Sequence, residues 1–94
     1  MSHSKKQNRP LSEYPLVLVE WIDASRISDG WIDLKEVPAP EPHQCVSVGF
    51  LVSEDKRGKV VIPTFADVQH PENRQAYGGM LIPSAAIISV RQLS

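Results

Sequence analysis

Between Val46 and Ser53 the side chains alternate in character. Val46, Val48, Phe50 and Val52 fall on one side of an extended strand, and Ser47, Gly49, Leu51 and Ser53 fall on the other. A second β-branched run, Val60-Val61-Ile62, follows a charged turn that closes on Gly58. This pattern predicts a β-hairpin with strands over 44–53 and 59–65. A strand with one apolar face and one small, half-polar face belongs to a small sheet or barrel with a single core. Upstream, Val17, Val19 and Trp21 face one way and Leu16, Leu18 and Ile22 the other, with Glu20 interrupting the second face. A strand over 16–23 follows, apolar on both sides and therefore covered by the core and by another subunit. Residues 79–83 read as a short strand. The last strand covers 86–93, where Ile88, Val90 and Gln92 oppose Ile87, Ser89, Arg91 and Leu93. Pro83 cannot extend a ladder, so Pro83-Ser-Ala-Ala predicts one helical turn before that strand.

The connections are written by turn formers. Ser25, Ser28, Asp29 and Gly30 mark a loop. Residues 31–37 fit two descriptions: Ile32 and Leu34 suit a short strand, while Trp31, Leu34 and Val37 recur at helical spacing. Pro38-Ala-Pro-Glu-Pro is a stiff, extended connector. Residues 66–79 read as one polar loop, of a length that in compact domains is functional or mobile. The expected fold class is therefore all-β: a small, strongly bent antiparallel five-strand barrel of SH3-like or Sm-like order, with one helical turn before the last strand. Residues 1–13 are expected to form a disordered N-terminal tail and 14–94 a single β-barrel domain.

Composition narrows the picture. With 94 residues the chain makes one domain. At that size it buries roughly 60–65% of the surface of its unfolded form, so association of subunits is a natural source of stability. Eight prolines keep the elements short. Ten basic and eleven acidic side chains nearly cancel, which disfavours a polyanion-binding surface despite Lys5, Lys6 and Arg9 near the N-terminus. Cys45 is the single cysteine, so an intrachain disulfide is excluded, and a buried, inert thiol is the expected state. No signal-peptide pattern stands at the N-terminus and no apolar run approaches a membrane span. A cytoplasmic location is the expectation.

Candidate chemistry is sparse. His3, His43 and His70 are widely separated and no Cys/His pair has metal-ligand spacing, so neither a metal nor another cofactor is implied. Ser47 and Ser84 are nucleophile candidates by residue type alone; one is mid-strand and the other begins a turn, where capping is the commoner role. Asp29 and Asp33 form an acidic pair that a solvated loop explains. Gly78-Gly79 reads as a turn entering a strand. The chain is expected to be non-enzymatic. Trp21 and Trp31 each fit core packing or a stacking platform. With Asp23, Asn73, Arg74 and Tyr77, Trp31 makes the candidate ligand-binding set: an indole or phenol to stack on a base, polar groups to read its edge, and a guanidinium to hold phosphate.

The pieces Val19-Glu-Trp-Ile-Asp-Ala, Gly30-Trp31, Ser47-Val-Gly-Phe-Leu, Gly79-Met-Leu-Ile-Pro-Ser-Ala-Ala-Ile and Val90-Arg-Gln-Leu, spaced over 16–93, resemble a group of small uncharacterised proteins of tailed phages and prophages. The resemblance implies a phage origin, a small β fold and the cytoplasm of an infected or lysogenic bacterial host. It implies no activity and no catalytic residues. The leading expectation is a homo-oligomeric binding protein that sequesters a host-derived ligand, with a nucleotide-type defence signal, small and anionic, as the candidate. The alternatives are a nucleic-acid-binding Sm-like or SH3-like module, disfavoured by the charge balance, and an adaptor that inhibits a host protein through a strand edge or apolar patch.

Overall fold

The computed structural model describes residues 10–94. Among the described residues seven strands carry the fold: β1 (Leu16–Asp23), β2 (His43–Asp55), β3 (Gly58–Ile62), β4 (Thr64–Ala66), β5 (Gln75–Tyr77), β6 (Met80–Pro83) and β7 (Ile87–Gln92). Five of them form one antiparallel sheet in the order β6-β3-β2-β1-β7, and β4 and β5 form a separate two-stranded ribbon. Every regular helical segment among the described residues is a single 3-10 turn. The mainly β, antiparallel expectation holds. The five-strand sheet ends on β6 and β7, which do not pair with each other, so the hydrogen-bonded sheet is bent but open rather than a closed barrel.

The bend lies in β2. Its first half pairs with β1, from Asp23 opposite His43 to Leu16 opposite Phe50. Its second half pairs with β3, where the register shifts between Leu51 and Ser53. Such a bulge adds a residue to one strand and turns the ladder. Gly49 sits just before it, because β3 passes too close for a side chain: a Cβ there would lie 2.7 Å from Val61 Cγ1 and 2.9 Å from the Ile62 carbonyl oxygen. Gly58 serves the next seam in the same way, since its Cβ would come within 2.6 Å of the Ile82 carbonyl oxygen on β6.

The β2–β3 turn is built on Asp55. Its carboxylate accepts a hydrogen bond from the Arg57 amide at 2.8 Å and pairs with the Arg57 guanidinium at 2.8 Å. Ser84, in the 3-10 turn Ser84–Ala86, clasps the tip of that hairpin: its amide donates to the Arg57 carbonyl and its hydroxyl to the Lys56 carbonyl, both at 2.9 Å. The helical turn expected before the last strand is thus present, and its serine braces the hairpin instead of capping its own turn.

Val17, Val19, Val61 and Ile82 form the buried core, with Trp21, Leu51, Ala86 and Ile87 packed against it. The register places Val17 opposite Gly49 and Val19 opposite Ser47. The core therefore lies against the small face of β2, because small residues leave room for the valines of β1. The apolar face, with Val46 and Val48, points outward. Trp21 donates its indole N–H to the Ser47 hydroxyl at 3.0 Å, so Ser47 serves as an internal hydrogen-bonding partner. Cys45 is half-buried.

Two segments differ from the sequence expectation. Residues 66–79 are not one loop. Thr64–Ala66 leaves the main sheet after Pro63 and pairs with Gln75–Tyr77, with the 3-10 turn Pro71–Asn73 between them. Phe65 anchors this ribbon, with its ring stacked on Tyr14 at 6.3 Å and tilted against Phe50 at 5.6 Å. Residues 31–37 resolve to the helical description, as the 3-10 turn Leu34–Glu36. Of the expected tail, residues 1–9 lie outside the described residues, and Leu11–Glu13 forms a 3-10 turn leading into Tyr14.

Candidate functional site

The five residues singled out from sequence do not share one cleft. Asn73 and Arg74 close the turn of the β4–β5 ribbon, where the Asn73 amide donates to the His70 carbonyl at 2.8 Å and the Arg74 amide to the Pro71 carbonyl at 3.4 Å. Tyr77 ends the same ribbon, opposite Thr64, and is well exposed. Arg74 is half-buried. These three are neighbours along one short element. Asp23 is elsewhere. The ribbon sits by Phe65 at the Tyr14 end of β1, whereas Asp23 closes the far end opposite His43. An eight-residue strand separates those ends by about 23 Å.

Trp31 belongs to the connection between β1 and β2. Its side chain is fully in solvent, at 106% relative exposure, and nearby Leu34 is at 86%. Core packing is therefore excluded for Trp31, while Trp21 serves the core. Within five residues of Trp31 in the sequence stand Asp29, Asp33 and Glu36, against Arg26 and Lys35. Negative charge close by raises the electrostatic cost of bringing a phosphate to that indole.

Alternation and register together define a second surface, on the outer side of β2, β1 and β7. Val46, Glu20 and Ser89 make one cross-strand row, and Val48, Leu18 and Arg91 the next. Val46 is 61% and Val48 48% exposed. Glu20 is held by the Ser89 hydroxyl, which donates to its carboxylate at 2.6 Å. A shallow depression of about 560 Å³ opens here, lined by Leu18, Glu20, Val46, Ser89, Val90 and Arg91. The sequence marks this surface as a subunit contact, through the apolar residues on both sides of 16–23, and not as a ligand site.

Asp55, in the β2–β3 turn, has its pKa lowered by hydrogen bonds from the Arg57 side chain and amide, and the same carboxylate raises the pKa of Arg57. That pair is fully exposed and fixes a turn. No group of three or more His, Cys, Asp or Glu residues among those described could hold a metal ion, and no helix among them is long and apolar enough to cross a membrane. No family model matches the chain, and neither a curated protein nor a solved structure matches it.

Proposed function

We propose that this chain is a non-enzymatic, homo-oligomeric binding protein of phage type that docks on a host protein through the connection carrying Trp31. The observation that carries the reading is Trp31 itself, an indole standing wholly in solvent, with Leu34 of the same connection also largely exposed. Tryptophan is among the residues that contribute most where one protein binds another, because it buries a large area at small entropic cost. Ile32 and Val37 add apolar surface to the same connection. The flanking carboxylates favour a protein target over a nucleotide. The framework behind it reads as an SH3-like module: a sheet in the order β6-β3-β2-β1-β7, a strongly bent β2 and a 3-10 turn joining the two edge strands.

The test is fluorescence of the Trp21→Phe protein, in which Trp31 is the sole tryptophan. Host protein fractions should shift its emission to the blue, and a panel of mononucleotides and cyclic dinucleotides should leave it unchanged. A response to nucleotides alone replaces this reading with ligand capture at Trp31, and no response to host protein overturns the docking role of Trp31.

One observation keeps sequestration as the second reading. Asn73, Arg74 and Tyr77 do follow one another along the β4–β5 ribbon, and Tyr77 is well exposed. In that case Arg74→Ala and Tyr77→Ala should each weaken nucleotide capture at least tenfold, about 1.4 kcal/mol, in calorimetric titration with melting unchanged.

A further inference from the structure

The outer face of β2, β1 and β7 is an apolar surface whose charges answer each other. Val46, Val48 and Leu18 make its centre, and Glu20 and Arg91 stand on adjacent cross-strand rows of the same face. The Glu20 carboxylate is engaged by Ser89, and no ion pair joins it to Arg91 within the chain. We propose that this face is the seat of a second copy of the chain, packed about a twofold axis so that Glu20 of each protomer meets Arg91 of the other. This deepens the homo-oligomeric part of the proposed function and does not depend on Trp31.

Two features select a second copy over a foreign partner. A patch carrying one acid and one base around an apolar centre is complementary to itself, which is what a twofold interface requires. A partner that bound this face through charge would more simply carry a patch of one sign. The second feature is the core. Among the described residues, Tyr14, Val17, Val19, Val61 and Ile82 are the buried hydrophobic side chains, while Val46, Val48, Ile22, Leu81 and Ile88 remain in solvent. So small a core calls for further burial as the chain folds. A second copy is present wherever the chain is made, whereas a host partner is met later.

The experiment is light scattering and sedimentation of the full chain at micromolar concentration. The wild type should have twice the protomer mass of 10.5 kDa. V48D should weaken association at least tenfold. E20R and R91E should each dissociate the dimer, because each places like charges at both symmetry-related contacts. The twofold arrangement makes a further demand: equimolar E20R and R91E should form a mixed dimer, since both contacts then join opposite charges. Re-association of the mixture also shows that each variant is folded. A wild type of single protomer mass, dimers that survive V48D, or a mixture that stays monomeric despite native circular dichroism of both variants overturns the proposal. If the wild type is monomeric and gains mass only with host protein, the face belongs to a foreign partner. The Trp31 emission test is separate, so failure here leaves the docking role of Trp31 standing.

Discussion

At the scale of single residues Gly49 is a tight constraint on the β2–β3 seam. The close approach of Val61 and of the Ile62 backbone leaves no volume for a methyl group. Gly49→Ala should cost about 1–3 kcal/mol through overpacking, read as a lower denaturation midpoint at unchanged slope. Ser47 is coupled to the same seam through the Trp21 indole. Ser47→Ala removes the acceptor of a half-buried N–H and should cost about 1 kcal/mol, with a change in Trp21 fluorescence in the folded protein. Both positions were visible in the sequence as small residues alternating with valines. Which side of β2 met the core was not, because that depends on what the neighbouring strand presents: Val17 and Val19 fill the space that Ser47 and Gly49 leave. Trp31 shows a related limit. Its sequence context offered helical spacing and a loop exit, but burial depends on whether any other element reaches it.

At the scale of elements, the β2–β3 hairpin was legible because β-branched runs, a charged turn and a closing glycine coincide there. The β4–β5 ribbon was not legible. Its strands, Thr64–Ala66 and Gln75–Tyr77, are three residues each, too short for alternation to appear, and a tertiary contact of Phe65 with Tyr14 and Phe50 holds them in place. Phe65→Ala should therefore loosen the ribbon first, with faster hydrogen exchange at residues 64–66 and 75–77 and a loss of about 2 kcal/mol for a half-buried ring. The expected ligand set was split for the same reason: placing Asn73, Arg74 and Tyr77 relative to Asp23 requires knowing where the ribbon docks. The β2–β3 turn also carries a pH dependence. Asp55 has a lowered pKa in the folded chain, so its contribution to stability is present above the ordinary value of 3.8 and is lost as pH falls through the lower folded value. The carboxyl resonance of Asp55 should titrate below 3.8 and move back toward it in Arg57→Ala; an unmoved midpoint would remove Arg57 as the cause.

At the scale of the whole molecule, few side chains are buried and much of the apolar surface is on the outside. If that surface is covered by a second copy, stability depends on concentration by mass action. The melting temperature should rise over a hundredfold increase in protein concentration, and the rise should vanish in V48D. That five segments pair in an antiparallel sheet was legible, since each predicted strand segment contributes to it. Openness was not, because whether β6 and β7 meet depends on the curvature imposed by Gly49 and the Leu51/Ser53 bulge. The pairing of β1 with β7 also has a consequence in time. Glu20 and Ser89, joined across that seam, are 69 residues apart in sequence, while the β2–β3 turn spans a few residues. Closing so long a loop is entropically slow, so the hairpin is expected to form early and β7 to zip onto β1 last. In stopped-flow refolding, Asp55→Ala, which removes the carboxylate that builds the β2–β3 turn, should slow folding, whereas Ile87→Ala should leave the folding rate nearly unchanged and speed unfolding. Until that final step one edge of β1 stands bare, and in this interval the chain is most open to pairing with the wrong strand.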